Sequence, residues 1–237
     1  MTIPSSGLTF DERIAVSQDN AARLFDEIAD CRHEYPWPKL DEQLDGDLDA
    51  VFHIVGYGSL LNPDSARRTI TNTPAEGHLP VLAYGAKRVF NYTMPDIIFD
   101  QYQVRPTANQ RAALNTDYYG DISGVLTGRL LEIRLNELPA LREREKGYHL
   151  DPVVYVPWNA PEEIPKIAYV FRADESAFEG KVYVDDTLLP YPPYAALCRE
   201  GAGMVDPDFE DAFLDTSWLA DRVTTLRSWL RGTEPKA

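Results

Sequence analysis

The sequence predicts an α+β fold on a curled mixed sheet, and three observations lead there. Between residue 51 and about residue 171 of the 237-residue chain, short segments rich in Val, Ile, Tyr and Phe follow one another, most of them bounded by Gly, Pro, Asn or Asp. The helical patterns among them, one after Pro63 and one around "NELPALREREK", are too few to alternate with strands as a doubly wound parallel sheet requires. Helical spacing returns at both ends of the chain.

In chain order, Thr9 and Glu12 form a capping box, and Phe10, Ile14, Ala21, Phe25 and Ile28 fall on one face. This predicts an amphipathic helix over residues 10–32. The next stretch, "EYPWPKLDEQLDGDLDA", reads as a Pro-broken acidic connector, so residues 1–50 are expected to form a helical extension with a linker and residues 51–237 the domain proper. Asp45, Asp47 and Asp49 have the opening spacing of a calcium loop, but Ala50 and Gly56 stand where that loop needs glycine and glutamate, and the reading is rejected. Strands are expected at "VFHIVG", "PVLAYG", "KRVFNYT", "RAALN", "ISGVLTGRLLEI", "PVVYVPW" and "KIAYVFRA". From about Pro193 the tail turns helical through "YPPYAALCREGA", "DPDFEDAFLDTSW" and the spacing of Leu219, Val223, Leu226 and Leu230.

Charge narrows the function. A formal net charge of −15 and a pI near 4.6 repel phosphate backbones and anionic membrane surfaces, so neither nucleic acid nor membrane is an expected partner. No apolar run approaches the ~20 residues of a membrane span, and "MTIPSSGLTFDER" lacks the basic and apolar regions of a signal peptide. A cytoplasmic location is the expectation. Cys31 and Cys198 lie far apart and read as buried thiols, and the four histidines are scattered, so no metal and no other cofactor is expected.

The segment "VFHIVGYGSLLNP", residues 51–63, is a strand running into a tight glycine turn and a helix start. It lacks the third glycine of a dinucleotide fingerprint, and Tyr57 and Leu61 stand where a serine-hydrolase elbow has glycines around its nucleophile. What remains is Asn62 as an N-cap, Pro63 at the first helical position and Asp64 in the first turn. Backbone N–H groups of such a turn suit a carboxylate or a developing oxyanion, or the turn is structural only.

The densest ionisable cluster is "LREREKGYHLDP", residues 141–152. A run of alternating Arg and Glu suits a solvated helix face. It ends at Gly147-Tyr148 and runs at once into the apolar "PVVYV", which puts Glu145 at a helix-to-strand corner. A partly desolvated carboxylate there would have a raised pKa and suit a general base, with Arg144 and Lys146 opposing the rise.

Several of these segments together resemble the γ-glutamylcyclotransferase-like superfamily, which includes the avirulence-induced-gene proteins of plants. The resemblance rests on "VGYGSLLNP", "GAKRVFN", "RAALNTDYYGDISGVLTGRLLEI" and "LREREKGYHLDPVVYV", continues through "AYVF" and "YPPYAALCREGAGMVDPDFEDAFL", and covers about residues 51–218. It implies a compact mixed β-barrel flanked by helices, with a pocket between the Tyr-Gly-Ser-Leu loop and the acidic corner. By matching position it implies that Tyr57, Gly58, Ser59 and Leu60 cradle a γ-glutamyl group, that Tyr169 lies on the substrate side, and that Glu145 is the catalytic acid/base. The implied reaction cyclises a small γ-glutamyl substrate to 5-oxoproline and expels an amine, without cofactor. Arg142 stands where the family often has Asp, which leaves Glu143 open as a rival base. Arg67, Arg68 and Arg88 are candidates to offset the chain's negative charge, and the loops 94–110 and 172–193 are candidates to set specificity. Two alternatives remain at this level: a catalytically silent anion-binding or regulatory protein of the same fold, and an interaction module that uses the N-terminal helix. Whether the chain is a monomer or a homodimer stays open.

Overall fold

The computed structural model describes residues 7–27, 51–71, 78–145, 148–173 and 180–233. Helix α1 spans Phe10–Glu27, and its start is the expected capping box: Thr9 N–H donates to Glu12 Oε2 at 2.8 Å and Glu12 N–H to Thr9 Oγ1 at 3.3 Å. Residues 28–32 of the predicted helix, the acidic connector with Asp45, Asp47 and Asp49, and Lys146 lie outside the described residues.

The barrel is made of β1 (Val51–Gly56), β2 (Leu79–Tyr84), β5 (Val125–Arg134), β6 (His149–Pro157) and β7 (Lys166–Arg172), in the spatial order β1-β5-β2-β6-β7. Four of its pairings are antiparallel, and the parallel pair β1 with β7, at Ile54 opposite Tyr169, closes it. Closure removes the exposed edges that an open sheet would leave. The expected mixed barrel is therefore observed. Val81 and Ala83 of β2 face the main core, while Leu82 and Tyr84 on the opposite face join Val154 and Val156 under Ala21 and Phe25 of α1. The helix covers the outside of β2 and β6, which is why "PVLAY" is apolar throughout instead of alternating.

At Gly85 the chain leaves the barrel for a second sheet, built from β3 (Ala86–Thr93) and β4 (Gln110–Tyr118) with two short strands, β8 (Leu189–Pro190) and β9 (Ser217–Leu219), in the order β8-β4-β3-β9. The β3–β4 register slips between Phe90 and Tyr92, so Asn91 forms a bulge. Its amide oxygen accepts from buried Asn115 Nδ2 at 3.0 Å. The remaining helices are α2 (Pro63–Ala66), α3 (Asp96–Tyr102), α4 (Leu138–Arg144), α5 (Pro192–Gly203), α6 (Pro207–Asp215) and α7 (Leu226–Thr233). The sequence pattern carries helix through "DTSW", but α6 stops at Asp215 and Ser217–Leu219 pair in parallel with Arg88–Phe90 of β3. Sheet pairing there outweighs local helical spacing.

Candidate active site

Strand β1 delivers Tyr57 and Gly58 into a single 3-10 turn, Ser59–Leu61, and Asn62 then caps α2, its Oδ1 accepting from Asp64 N–H at 3.0 Å and Ser65 N–H at 3.2 Å. That cap satisfies the helix start internally. The N–H groups of Ser59 and Leu60, by contrast, donate to no backbone carbonyl among the described residues, and Gly58 brings no side chain to cap the turn. A Cβ on Gly58 would stand 2.6 Å from the Tyr194 hydroxyl, so glycine is what lets the α5 side chain lie against the turn. The Tyr57 hydroxyl donates to the Phe171 carbonyl at 2.6 Å and ties the turn to β7.

From the other side, α4 ends in the acidic corner. Glu145 is the C-cap, its N–H donating to the Leu141 carbonyl at 2.9 Å, and its side chain is 14% exposed. Arg144, 20% exposed, spends all five guanidinium N–H groups locally. Nη1 donates to the Ser65 carbonyl at 2.8 Å and Thr69 Oγ1 at 3.2 Å, Nη2 to Ser59 Oγ at 3.0 Å and Ser65 Oγ at 3.1 Å, and Nε lies 3.1 Å from Glu145 Oε1. One arginine thus fastens the glycine turn, α2 and the corner carboxylate together. Burial pushes the Glu145 carboxyl above its ordinary pKa, and the charge and hydrogen bond of Arg144 oppose that rise.

Tyr57, Gly58, Ser59, Leu60 and Glu145 meet around a small chamber of about 30 Å³, closed by Leu114, Tyr148, Phe171 and Tyr194. The chamber shares Ser59, Glu145, Tyr148 and Tyr194 with a larger cavity of about 520 Å³. Along the larger cavity three rings stack in file: Tyr148 on Tyr92 with centroids 4.5 Å apart, and Tyr92 on Tyr183 at 5.4 Å. Burial pushes the Tyr57, Tyr148 and Tyr194 phenols well above 10, so they stay neutral donors at physiological pH.

Tyr169 lies apart from both chambers' walls. It stacks on Phe52 of β1 with centroids 4.8 Å apart, at the seam where the barrel closes. Glu143 lines the larger cavity but is exposed, as a base awaiting desolvation should not be. Of the three candidate arginines, Arg68 lines the larger cavity and Arg67 pairs with Asp64 at the surface. Arg88 is fully buried elsewhere. It donates to the Thr127 carbonyl at 2.8 Å and Oγ1 at 3.0 Å and lies 4.3 Å from the Phe213 ring centroid, and desolvation pulls its pKa down to about 9. It fastens β5 and α6, and its position rules it out as a cation facing substrate. The sequence reading missed the joining role of Arg144, the stacking of the three rings and the helical form of residues 96–102, whereas the regions it named for specificity, 94–110 and 172–193, do supply Met94, Ile98, Tyr102 and Tyr183 to the larger cavity. Among the described residues no group of three or more His, Cys, Asp or Glu side chains is placed to hold a metal ion, and no helix is long and apolar enough to cross a membrane.

Comparison with known proteins adds the following. No family model matches the chain, and no curated relative does. Among solved structures the chain resembles γ-glutamyl cyclotransferases. One protein named γ-glutamyl cyclotransferase is 12% identical over 69% of this chain and 86% of its own, with a TM-score of 0.47. A γ-glutamyl cyclotransferase specific to glutathione, from yeast, is 14% identical over 78% of this chain and 100% of its own, with a TM-score of 0.44. YkqA from Bacillus subtilis is 14% identical over 72% of this chain and 55% of its own, with a TM-score of 0.48. At these identities the likeness concerns the path of the chain, and the chemistry is read from the site itself.

Proposed function

We propose that this chain cyclises a small γ-glutamyl compound to 5-oxoproline and releases an amine, with Glu145 as general base and acid. The observation that carries the reading is the shared chamber. A desolvated carboxylate with a raised pKa shares the chamber with a turn whose Ser59 and Leu60 N–H groups meet no backbone carbonyl among the described residues, and Arg144 holds the two in fixed relation. The motif resemblance of the turn and the corner supplies the γ-glutamyl part of the proposal.

The steps balance without a second substrate. The substrate's α-ammonium gives one proton to Glu145, and the freed amine attacks the γ-carbonyl carbon. The new C–N bond closes a five-membered ring, and the carbonyl oxygen becomes an oxyanion. Collapse breaks the bond to the leaving nitrogen, which takes one proton by way of Glu145 and the second proton lost by the attacking nitrogen, and departs as an ammonium. Nucleophile and electrophile belong to one molecule, so the protein's work is to hold them in near-attack geometry and to stabilise the oxyanion. The N–H groups of Ser59 and Leu60 suit that oxyanion. Ser59 Oγ, already accepting from Arg144, has its own proton to donate, and acts as a positioning group instead of a nucleophile.

The test is detection of 5-oxoproline by mass spectrometry after incubating purified protein with a panel of γ-glutamyl amino acids, glutathione and γ-glutamyl amines, with Glu145→Gln in parallel. Product from the wild type, reduced about 10²- to 10⁴-fold in the variant, is expected. Equal product from both would transfer the base role to Glu143, and no product from either would leave a ligand-binding role for the chamber.

A further inference from the structure

The larger cavity adjoins the small chamber and has walls that the chamber does not share. Among the described residues, a substrate whose γ-carbonyl sits at Glu145 meets Leu114 and Phe171 in the small chamber and has room to extend past Tyr148 and Tyr194 into the larger cavity. The leaving half therefore lies along the walls that the large cavity has to itself. These are of two kinds. The aromatic file of Tyr92 and Tyr183 faces a run from α3 and its approach, Met94, Ile98 and Tyr102 among them. Such a slot suits a flat or branched apolar group, since aromatic and thioether side chains bury apolar area well and adapt to its outline.

The second kind of wall is a cation. Arg68 lines the same cavity and enters no ion pair or hydrogen bond among the described residues, whereas the neighbouring Arg144 has none of its five donors to spare. Arg68 and Tyr102 of α3 line the same cavity; burial pushes the Tyr102 phenol up to about 12, and the charges of Arg68 and Arg144 both oppose that rise. In a chain with a formal net charge of −15, an uncommitted arginine at the mouth of a cavity is a local reversal of sign.

Resting on the cyclisation reading, we propose that the leaving group is an amino acid with a bulky apolar side chain, the side chain in the slot between Tyr183 and α3 and the α-carboxylate on Arg68. Amines without that carboxylate, and amino acids without that side chain, are the poorer leaving groups.

The experiment compares three compounds: γ-glutamyl-phenylalanine, γ-glutamyl-phenethylamine, which differs from it only by the missing carboxylate, and γ-glutamyl-glycine, which lacks the ring. The wild type is expected to turn over γ-glutamyl-phenylalanine with a kcat/KM about two- to fivefold above γ-glutamyl-phenethylamine, the size of a solvent-screened guanidinium–carboxylate contact, and to favour it over γ-glutamyl-glycine as well. In Arg68→Gln the phenylalanine-to-phenethylamine ratio is expected to fall to near one, while Arg68→Lys keeps part of it. A wild-type ratio at or below one, or a ratio unaltered in Arg68→Gln, overturns the proposal; a ratio below one would mean that the cavity repels the carboxylate, as Glu143 on the same wall would. If no compound yields 5-oxoproline, the cyclisation reading fails. Calorimetric binding of the same compounds to the wild type and to Arg68→Gln then decides the subsite, with tighter binding of the phenylalanine compound, abolished by the substitution, supporting it and equal or absent binding overturning it.

Discussion

Glu145 carries a cost as well as the role proposed for it. Because burial favours its protonated form, the folded chain holds a proton that the unfolded chain has already released once the pH passes the ordinary carboxylate value of 4.5. Stability attached to this group therefore falls as pH rises from there to the raised folded value, and stays lower above it. Glu145→Gln cannot titrate, so its thermal midpoint is expected to lose that decline, standing above the wild type at neutral pH while activity is lost. Melting curves from about pH 4 to about pH 8 check this, and a wild type that gains on the variant with rising pH would contradict it. Arg144 acts in the opposite sense on the same carboxyl. With Arg144→Gln only desolvation remains, so the acid limb of the kcat/KM profile, which reports the base in the free enzyme, is expected to move to higher pH; a limb that stays put or moves down would remove Arg144 from the proton's environment. The sequence showed these residues unevenly. The motif brought Tyr57–Leu60 and Glu145 together, and they do share a chamber. Arg144, however, read as a charge merely opposing Glu145, because nothing in an Arg-Glu alternation says that one guanidinium will find Ser59, Ser65 and Thr69 from another element.

Helix α5 is the back wall of the glycine turn. A Cβ added at Gly201 would lie 2.5 Å from the Asn62 nitrogen and 2.6 Å from the Leu61 carbonyl carbon, both backbone atoms that cannot swing aside. Gly201→Ala is therefore expected to push α5 off the turn at a cost of about 1–3 kcal/mol, read as a lowered urea midpoint together with weaker substrate turnover, since Tyr194 moves with the helix. An unchanged midpoint would mean that the contact yields more easily than its geometry suggests. Elements with strong local signals were legible before the fold was known. The strands at residues 51–56, 87–93 and 125–133 and the Asn62-Pro63 helix start lie where β-branched patterning and capping chemistry placed them. The elements missed are short and owe their form to partners. Strands β8 and β9 exist by pairing with β4 and β3, and α3, seven residues with Ile97 exposed on its surface, has too few turns to display a period. The bulge at Asn91 was invisible for the same reason, although it resets the alternation just before Tyr92 enters the cavity wall.

The barrel is completed from outside by α1. Phe25, 2% exposed, seals the apolar outer face made by Leu82, Tyr84, Val154 and Val156. Phe25→Ala is expected to lower stability by about 3–5 kcal/mol, measured by chemical denaturation, and a loss below about 1 kcal/mol would show that the helix is not part of the folded core. The polar side of this junction was not legible in the sequence. Arg13 and Ser17 are buried among the apolar residues of the predicted face, Ser17 Oγ donating to the Arg13 carbonyl at 2.8 Å and accepting from the Tyr84 hydroxyl at 2.7 Å. Residue type assigns such side chains to solvent although the helical wheel puts them on the apolar face, and only the partner's hydroxyl and carbonyl make their burial affordable. Arg13 also lays its guanidinium 3.9 Å from the centroid of the Trp158 ring and donates to the Trp158 carbonyl at 2.9 Å, while the indole N–H donates to Asp206 at the head of α6 at 2.9 Å. Trp158 is fully buried, and the face it shows to Arg13 would meet water if α1 left the barrel. That ring is thus a built-in optical gauge: with Trp37, Trp218 and Trp229 replaced by Phe, its emission is expected to shift to the red when the first helix detaches, ahead of global unfolding if the helix leaves first, and the order of the two events can be followed without any added label.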